Sequence, residues 1–183
     1  MLKSLFKPRP AQTAGKALYA AAAHQARDAT FYASLGVPDT GEGRFELYVL
    51  HVALLVRRLK GQGDVAAETS QALFDTFVRS LDDGLREMGV GDLVVGKRMR
   101  KLAEAFYGRL RAFDEALGRL PDLSELEGLL GRTVLQAAPA DGAPQNARLI
   151  ADYVRRAVAH LERLPLDGLL GGETSWPEVM HGR

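Results

Sequence analysis

The sequence predicts an all-α protein, a single-domain bundle of about five to six helices. Three observations carry this prediction. Apolar residues recur every three or four positions through most of the chain. No stretch shows the strict alternation of a half-buried strand. Gly- and Pro-rich breaks separate the periodic stretches. The clearest stripe is Val95, Met99, Leu102, Phe106, Leu110, Phe113 and Leu117, spaced 4, 3, 4, 4, 3 and 4.

Composition narrows the class. A chain of 183 residues, 46% hydrophobic and 26% charged, is long enough for one self-sufficient core. It has no cysteine, which excludes disulfides, thiolate metal sites and a Cys nucleophile. The net charge of +1 hides an asymmetry. Lys3, Lys7, Arg9, Lys16 and Arg27 precede the first acidic residue, Asp28; the 24 basic residues less these five leave 19 against 23 acidic ones. A basic N-terminal arm, residues 1–13, on a mildly acidic body points to an anionic surface, membrane or nucleic acid. Within the arm, Leu2, Leu5 and Phe6 lie among the cations, a pattern that touches a bilayer without anchoring to it. No secretory signal pattern is present, and the expected location is cytoplasmic, peripheral to the inner membrane.

The helical domain is expected over residues 14–164. Its first helix spans about Ala14 to Leu35, alanine-rich and low in bulk, and ends at Gly36 before Pro38. The loop GVPDTGEG carries turn formers but neither the lysine nor the preceding strand of a phosphate loop. A central helix follows: from Phe45 to Val56 only Glu46 and His51 interrupt the apolar run. That run is short of the ~20 residues of a membrane span, and its apolar character on nearly all sides marks a buried helix or one with a second surface to cover.

After the GQGD break, a helix from Ala66 to Met88 shows the stripe Phe74, Phe77, Leu81, Leu85 and Met88. The long helix Leu93–Leu117 follows, N-capped by Asp92. Pro121 introduces a shorter helix, Ser124–Gln136. The loop AAPADGAPQ leads into Asn146–Leu164, with Ile150, Val154, Ala157, Leu161 and Leu164 on one face. A Gly-rich tail, 165–183, is expected to be mobile, with Trp176 as its one large docking residue.

Two features suggest partner binding. The central helix has a second row, Arg44, Leu47, His51, Leu54 and Arg58, opposite its core face of Phe45, Val49, Val52 and Val56. Either another helix covers this row while the arginines snorkel outward, or it is a leucine-lined groove with cationic ends that accepts an apolar partner helix. His51 by itself reads as a hydrogen-bonded core histidine. The second feature is GKRMRKL, with Lys97, Arg98 and Lys101 beside Arg100. It is either the charged flank of an amphipathic helix or a contact for lipid headgroups or RNA phosphate.

Catalytic patterns are missing. The four histidines are isolated, with no HExxH, no Glu-x-x-His pair and no GxSxG elbow. Asp82 and Asp83 are adjacent and so point about 100° apart on a helix, poorly placed to share a proton or metal. No catalytic residue, metal or cofactor is assigned.

The strings GRFELYVLH and LREMGVGDL, within a stretch from about Phe31 to Leu117, resemble the ubiquinol–cytochrome c chaperone family. The resemblance implies a non-enzymatic factor for assembly of the cytochrome bc1 complex. It further implies a newly made cytochrome b as client, a small partner subunit and association with the ribosome. The rival expectation is a helical binder of, or enzyme acting on, a quinone, haem or lipid, with a closed apolar pocket lined by Tyr48, His51 and Phe106.

Overall fold

A computed structural model describes residues 10–87, 89, 91–137 and 145–180. Eight helical segments occur among them: α1 (Pro10–Gln25), α2 (Ala29–Ala33), α3 (Gly41–Leu59), α4 (Asp64–Glu87), α5 (Asp92–Leu117), α6 (Ser124–Arg132), α7 (Gln145–Arg163) and α8 (Leu166–Leu170). Six exceed two turns, α2 and α8 are little more than one, and no strand occurs among the described residues. Most of the basic arm and the loop 138–144 lie outside the described residues.

α3 is the hub, packing against α1, α4, α5 and α7. α1, α3, α4 and α5 form a four-helix group on one side, and α6 links α5 to α7 on the other. α1 and α4 approach most closely at Gly15, where an added Cβ would stand 2.6 Å from the backbone nitrogen of Leu73. The alanine run of α1 therefore serves close helix packing rather than bulk burial. The α4 and α5 stripes fill the interior of this group, with Phe77, Val95, Phe106, Phe113 and Leu117 buried.

Several boundaries differ from expectation. α1 starts at Pro10, a residue suited to the first helical position because its missing N–H is not needed there. It stops at Gln25, because Asp28 turns its carboxylate to accept from the Thr30 amide at 2.8 Å and so caps a separate helix. The Tyr32 hydroxyl donates to the orphaned Ala26 carbonyl at 2.7 Å. This break drops Phe31 into the core. α5 begins at Asp92 itself, with Gly91 at the capping position. α6 ends at Arg132, and Gln136 beyond it adopts φ +53°, a left-handed conformation that cannot continue a helix.

The tail is the largest departure. Residues 165–180 form α8 and then an extended segment packed on the bundle, with Leu169 and Val179 buried. Trp176 meets His51 edge-on, ring centroids 4.9 Å apart. Arg156 donates to the Glu178 carbonyl at 2.9 Å, and His160 Nε2 lies 2.8 Å from the Ser175 hydroxyl. Apolar anchors and backbone contacts hold a segment whose glycine content suggested mobility.

Candidate functional site

The second row of α3 is not a groove. Leu47 and His51 are 0% exposed and Leu54 is 2% exposed, because α7, α2 and the tail cover them. His51 Nδ1 lies 2.8 Å from the Leu47 carbonyl and Nε2 lies 2.8 Å from the Tyr153 hydroxyl. A carbonyl only accepts, so Nδ1 carries the proton and Tyr153 donates to Nε2. Burial lowers the His51 pKa to about 4, outweighing the Leu47 hydrogen bond and the Asp28 charge, so the ring is neutral. Leu47, His51 and Leu54 are therefore core residues here and offer no partner contact, correcting the groove expectation.

The cationic ends of the row are also engaged. Arg44 pairs with Asp39 at 2.6 Å, its guanidinium over the Tyr32 ring. Arg58 donates from Nε to Leu161 O at 2.9 Å and from Nη2 to Leu164 O at 3.1 Å. It thereby holds one carbonyl in the last turn of α7 and the carbonyl of the residue just after the helix. Nor do Tyr48, His51 and Phe106 enclose a common pocket: Tyr48 lines one cleft, Phe106 another, and His51 sits in the core.

A large concavity among the described residues lies on the opposite flank of α3. It is an open cleft of about 1160 Å³ framed by the C-terminal halves of α1 and α4, the start of α3 and the middle of α5. Phe45, Leu81, Leu85 and Leu102 supply its apolar surface, and Ala20, Ala23, Gly84 and Ala105 keep its walls shallow. The start of α3 is fixed by Thr40, which accepts from the Gly43 amide at 3.1 Å. Gly43 is required there because any Cβ would collide with the Pro38 carbonyl. Among the expected site residues, Arg44 and Lys101 reach this cleft. Lys97 and Arg98 are exposed further along α5, and Arg58 borders a separate cleft.

The cleft is braced by an ion pair the sequence reading did not single out. Arg109 grips Glu46 with two donors, Nε to Oε2 at 2.9 Å and Nη2 to Oε1 at 2.8 Å. Glu46 is only 4% exposed. That hydrogen bonding pushes Arg109 further above its ordinary value despite partial burial. The signal was available: Glu46 is the one acid within the apolar run of α3, and a buried carboxylate needs a cation. A second cross-link ties α3 to α5, with Asp114 bound by Lys60 at 2.8 Å and Arg57 at 3.1 Å.

Among the described residues no three His, Asp or Glu side chains gather to hold a metal, and no helix is long and apolar enough to cross a membrane. The class so defined is a helical bundle with an open apolar cleft braced by a buried ion pair.

The chain belongs to the ubiquinol–cytochrome C chaperone family, whose profile matches residues 33–176. The match runs beyond Leu117, through α7 to the Trp176 contact. The chain is 29% identical over 147 residues to human ubiquinol-cytochrome c reductase complex assembly factor 1, covering 80% of this chain and 48% of the human protein. The Xenopus laevis factor is 28% identical over the same length, with 72% of it covered. The chain thus spans about half the length of the human and mouse relatives. The crystal structure of the Cbp3 homolog from Brucella abortus superposes with a TM-score of 0.83, at 32% identity and 98% coverage of both chains.

Proposed function

We propose that this protein is an assembly chaperone for ubiquinol–cytochrome c reductase, the bc1 complex, and that it holds newly made cytochrome b until its partners join. The observation that carries this reading is the family match, which embraces every helix of the cleft except α1. The relatives named as assembly factors of that complex support it. The architecture suits the task. A membrane protein awaiting partners exposes apolar helix faces, and an open apolar cleft shields such a face without chemistry being done on it.

The exposed cations Lys97, Arg98 and Lys101 on α5 suit an anionic surface close to where a membrane protein is made, the lipid headgroups or the ribosome. On this reading the protein works at the cytoplasmic face of the membrane, peripherally, and a small partner subunit is one candidate to share the client.

A deletion strain tests the proposal. Cytochrome b and bc1 activity are expected to fall while an unrelated respiratory complex keeps its level, and the wild-type chain restores both. Normal cytochrome b in the deletion strain overturns it.

A further inference from the structure

The size, wall chemistry and rim charge of the α1/α3/α4/α5 cleft together specify an occupant. At about 1160 Å³ it exceeds the ~300–1,000 Å³ usual for small-molecule sites. A helix about 10 Å across with a 5.4 Å pitch fills roughly 400 Å³ per turn, so the space matches two to three turns. Ala20, Ala23, Gly84 and Ala105 leave walls low enough for a second backbone to approach, as small residues do wherever helices pack closely.

The rim carries charge on every wall. Besides the groups on α4 and α5, Arg27 just past the end of α1 and Glu42 at the start of α3 line it, exposed and without an ion pair among the described residues. Arg109 is spent on Glu46 and Arg44 on Asp39. Asp83 and Glu87, by contrast, form no ion pair among the described residues; they are exposed one turn apart on α4 and leave that lip acidic. Lys101, equally unpaired, continues the exposed cations Lys97 and Arg98 and makes the α5 lip basic.

We propose that the cleft receives an amphipathic helix of two to three turns from a partner protein. Its apolar face enters the cleft, basic side chains line the edge facing Asp83 and Glu87, and acidic ones line the edge facing Lys101. Assigning this helix to the membrane-protein client rests on the function proposed above; its chemistry does not.

The test uses the full chain and fluorescent helical peptides of about 18 residues, five turns, read by polarisation. One peptide has a Leu/Ala face with a Lys flank and a Glu flank. The second has two Lys flanks, and the third is a scrambled version of the first. The mixed-flank peptide is expected to bind at least about tenfold more tightly than the scrambled one, as about 1.4 kcal/mol of added complementarity gives. Lys101→Glu, which makes both lips acidic, is expected to shift preference toward the two-Lys peptide by about tenfold.

Gly84→Phe plugs the cleft. Nothing lies within 4 Å of a Cβ at Gly84, and Phe is a better helix former than Gly. The variant should keep its melting temperature and lose the peptide. Ala20→Arg, at an exposed position on the α1 wall, serves the same end if Gly84→Phe folds poorly. Equal binding of mixed and scrambled peptides, or unchanged binding in a folded plug variant, overturns the proposal. If the peptides behave as expected but a Gly84→Phe strain keeps normal cytochrome b, the helix site stands and the client assignment falls. If that strain loses cytochrome b while no peptide binds, the client assignment stands and the helix site falls.

Discussion

Tyr153 on α7 donates its hydroxyl proton to Nε2 of His51 on α3 at 2.8 Å, within a nest completed by Phe31 and Trp176. Burial pushes the tyrosine pKa up and the histidine pKa down, so both groups are neutral. The bond joins residues 102 positions apart and brings α2, α3, α7 and the tail to one point.

This nest makes stability pH-dependent. His51 falls from its ordinary 6.5 to about 4 on folding, so between those values the unfolded chain takes up a proton that the folded chain refuses. Stability is full above pH 6.5 and declines as pH drops toward 4, with about 2 kcal/mol lost by pH 5 from this group. Urea denaturation at pH 7 and 5 should show this loss in the wild type and much less in His51→Gln. Parallel losses in the two proteins would refute the assignment.

The Glu46–Arg109 pair should respond asymmetrically to truncation. Arg109→Ala leaves a nearly sealed carboxylate without its cation and is expected to cost about 3 kcal/mol or more. Glu46→Gln leaves a guanidinium that still reaches solvent, at about 1–2 kcal/mol. The double variant Glu46→Leu, Arg109→Leu should recover most of the loss. Chemical denaturation of the wild type, Glu46→Leu, Arg109→Leu and the double variant forms the cycle, and additive losses of the two leucine variants would show that the two do not act as a pair.

Trp176 is the only tryptophan in the chain, so its emission reports the docking of the tail. Val179→Asp buries a charge beneath the segment and should release it. A red shift and greater access to acrylamide are expected, with helical circular dichroism nearly unchanged. A blue-shifted, protected tryptophan in that variant would show that the docking does not depend on Val179.

Charge reversal at Lys97, Arg98 and Lys101 should leave stability within about 0.5 kcal/mol, as for exposed positions without structural bonds. Sedimentation with anionic vesicles and with ribosomes should both fall, and the remaining binding should lose much of its salt dependence. If the triple variant unfolds, the cluster is structural.

How much of this was legible in the sequence depends on range. The α4 and α5 stripes were, because Phe77, Val95, Phe106 and Phe113 bury one face of a helix whatever packs on it. The break at residues 26–28 was not, since alanine favours helix on both sides and Asp28 decides by a single capping bond. Leu47, His51 and Leu54 declared a second face but not its cover, because Tyr153 and Trp176 lie far along the chain. The cleft left no motif at all. Its walls are alanines and a glycine on helices distant in sequence, and only Glu46, stranded in an apolar run, hinted that a cation waited nearby.

Arg58 has a mechanical consequence. Its guanidinium holds the carbonyls of Leu161 and Leu164, while seven residues earlier His51 holds Tyr153. One pin would allow α7 to swivel on α3, but two separated pins lock both rotation and sliding, because a slip of one turn breaks both at once. The α3–α7 half is thereby a rigid backplate. If the cleft takes the partner helix proposed above, the adjustment falls to the other half, where α4 and α5 flank the open mouth.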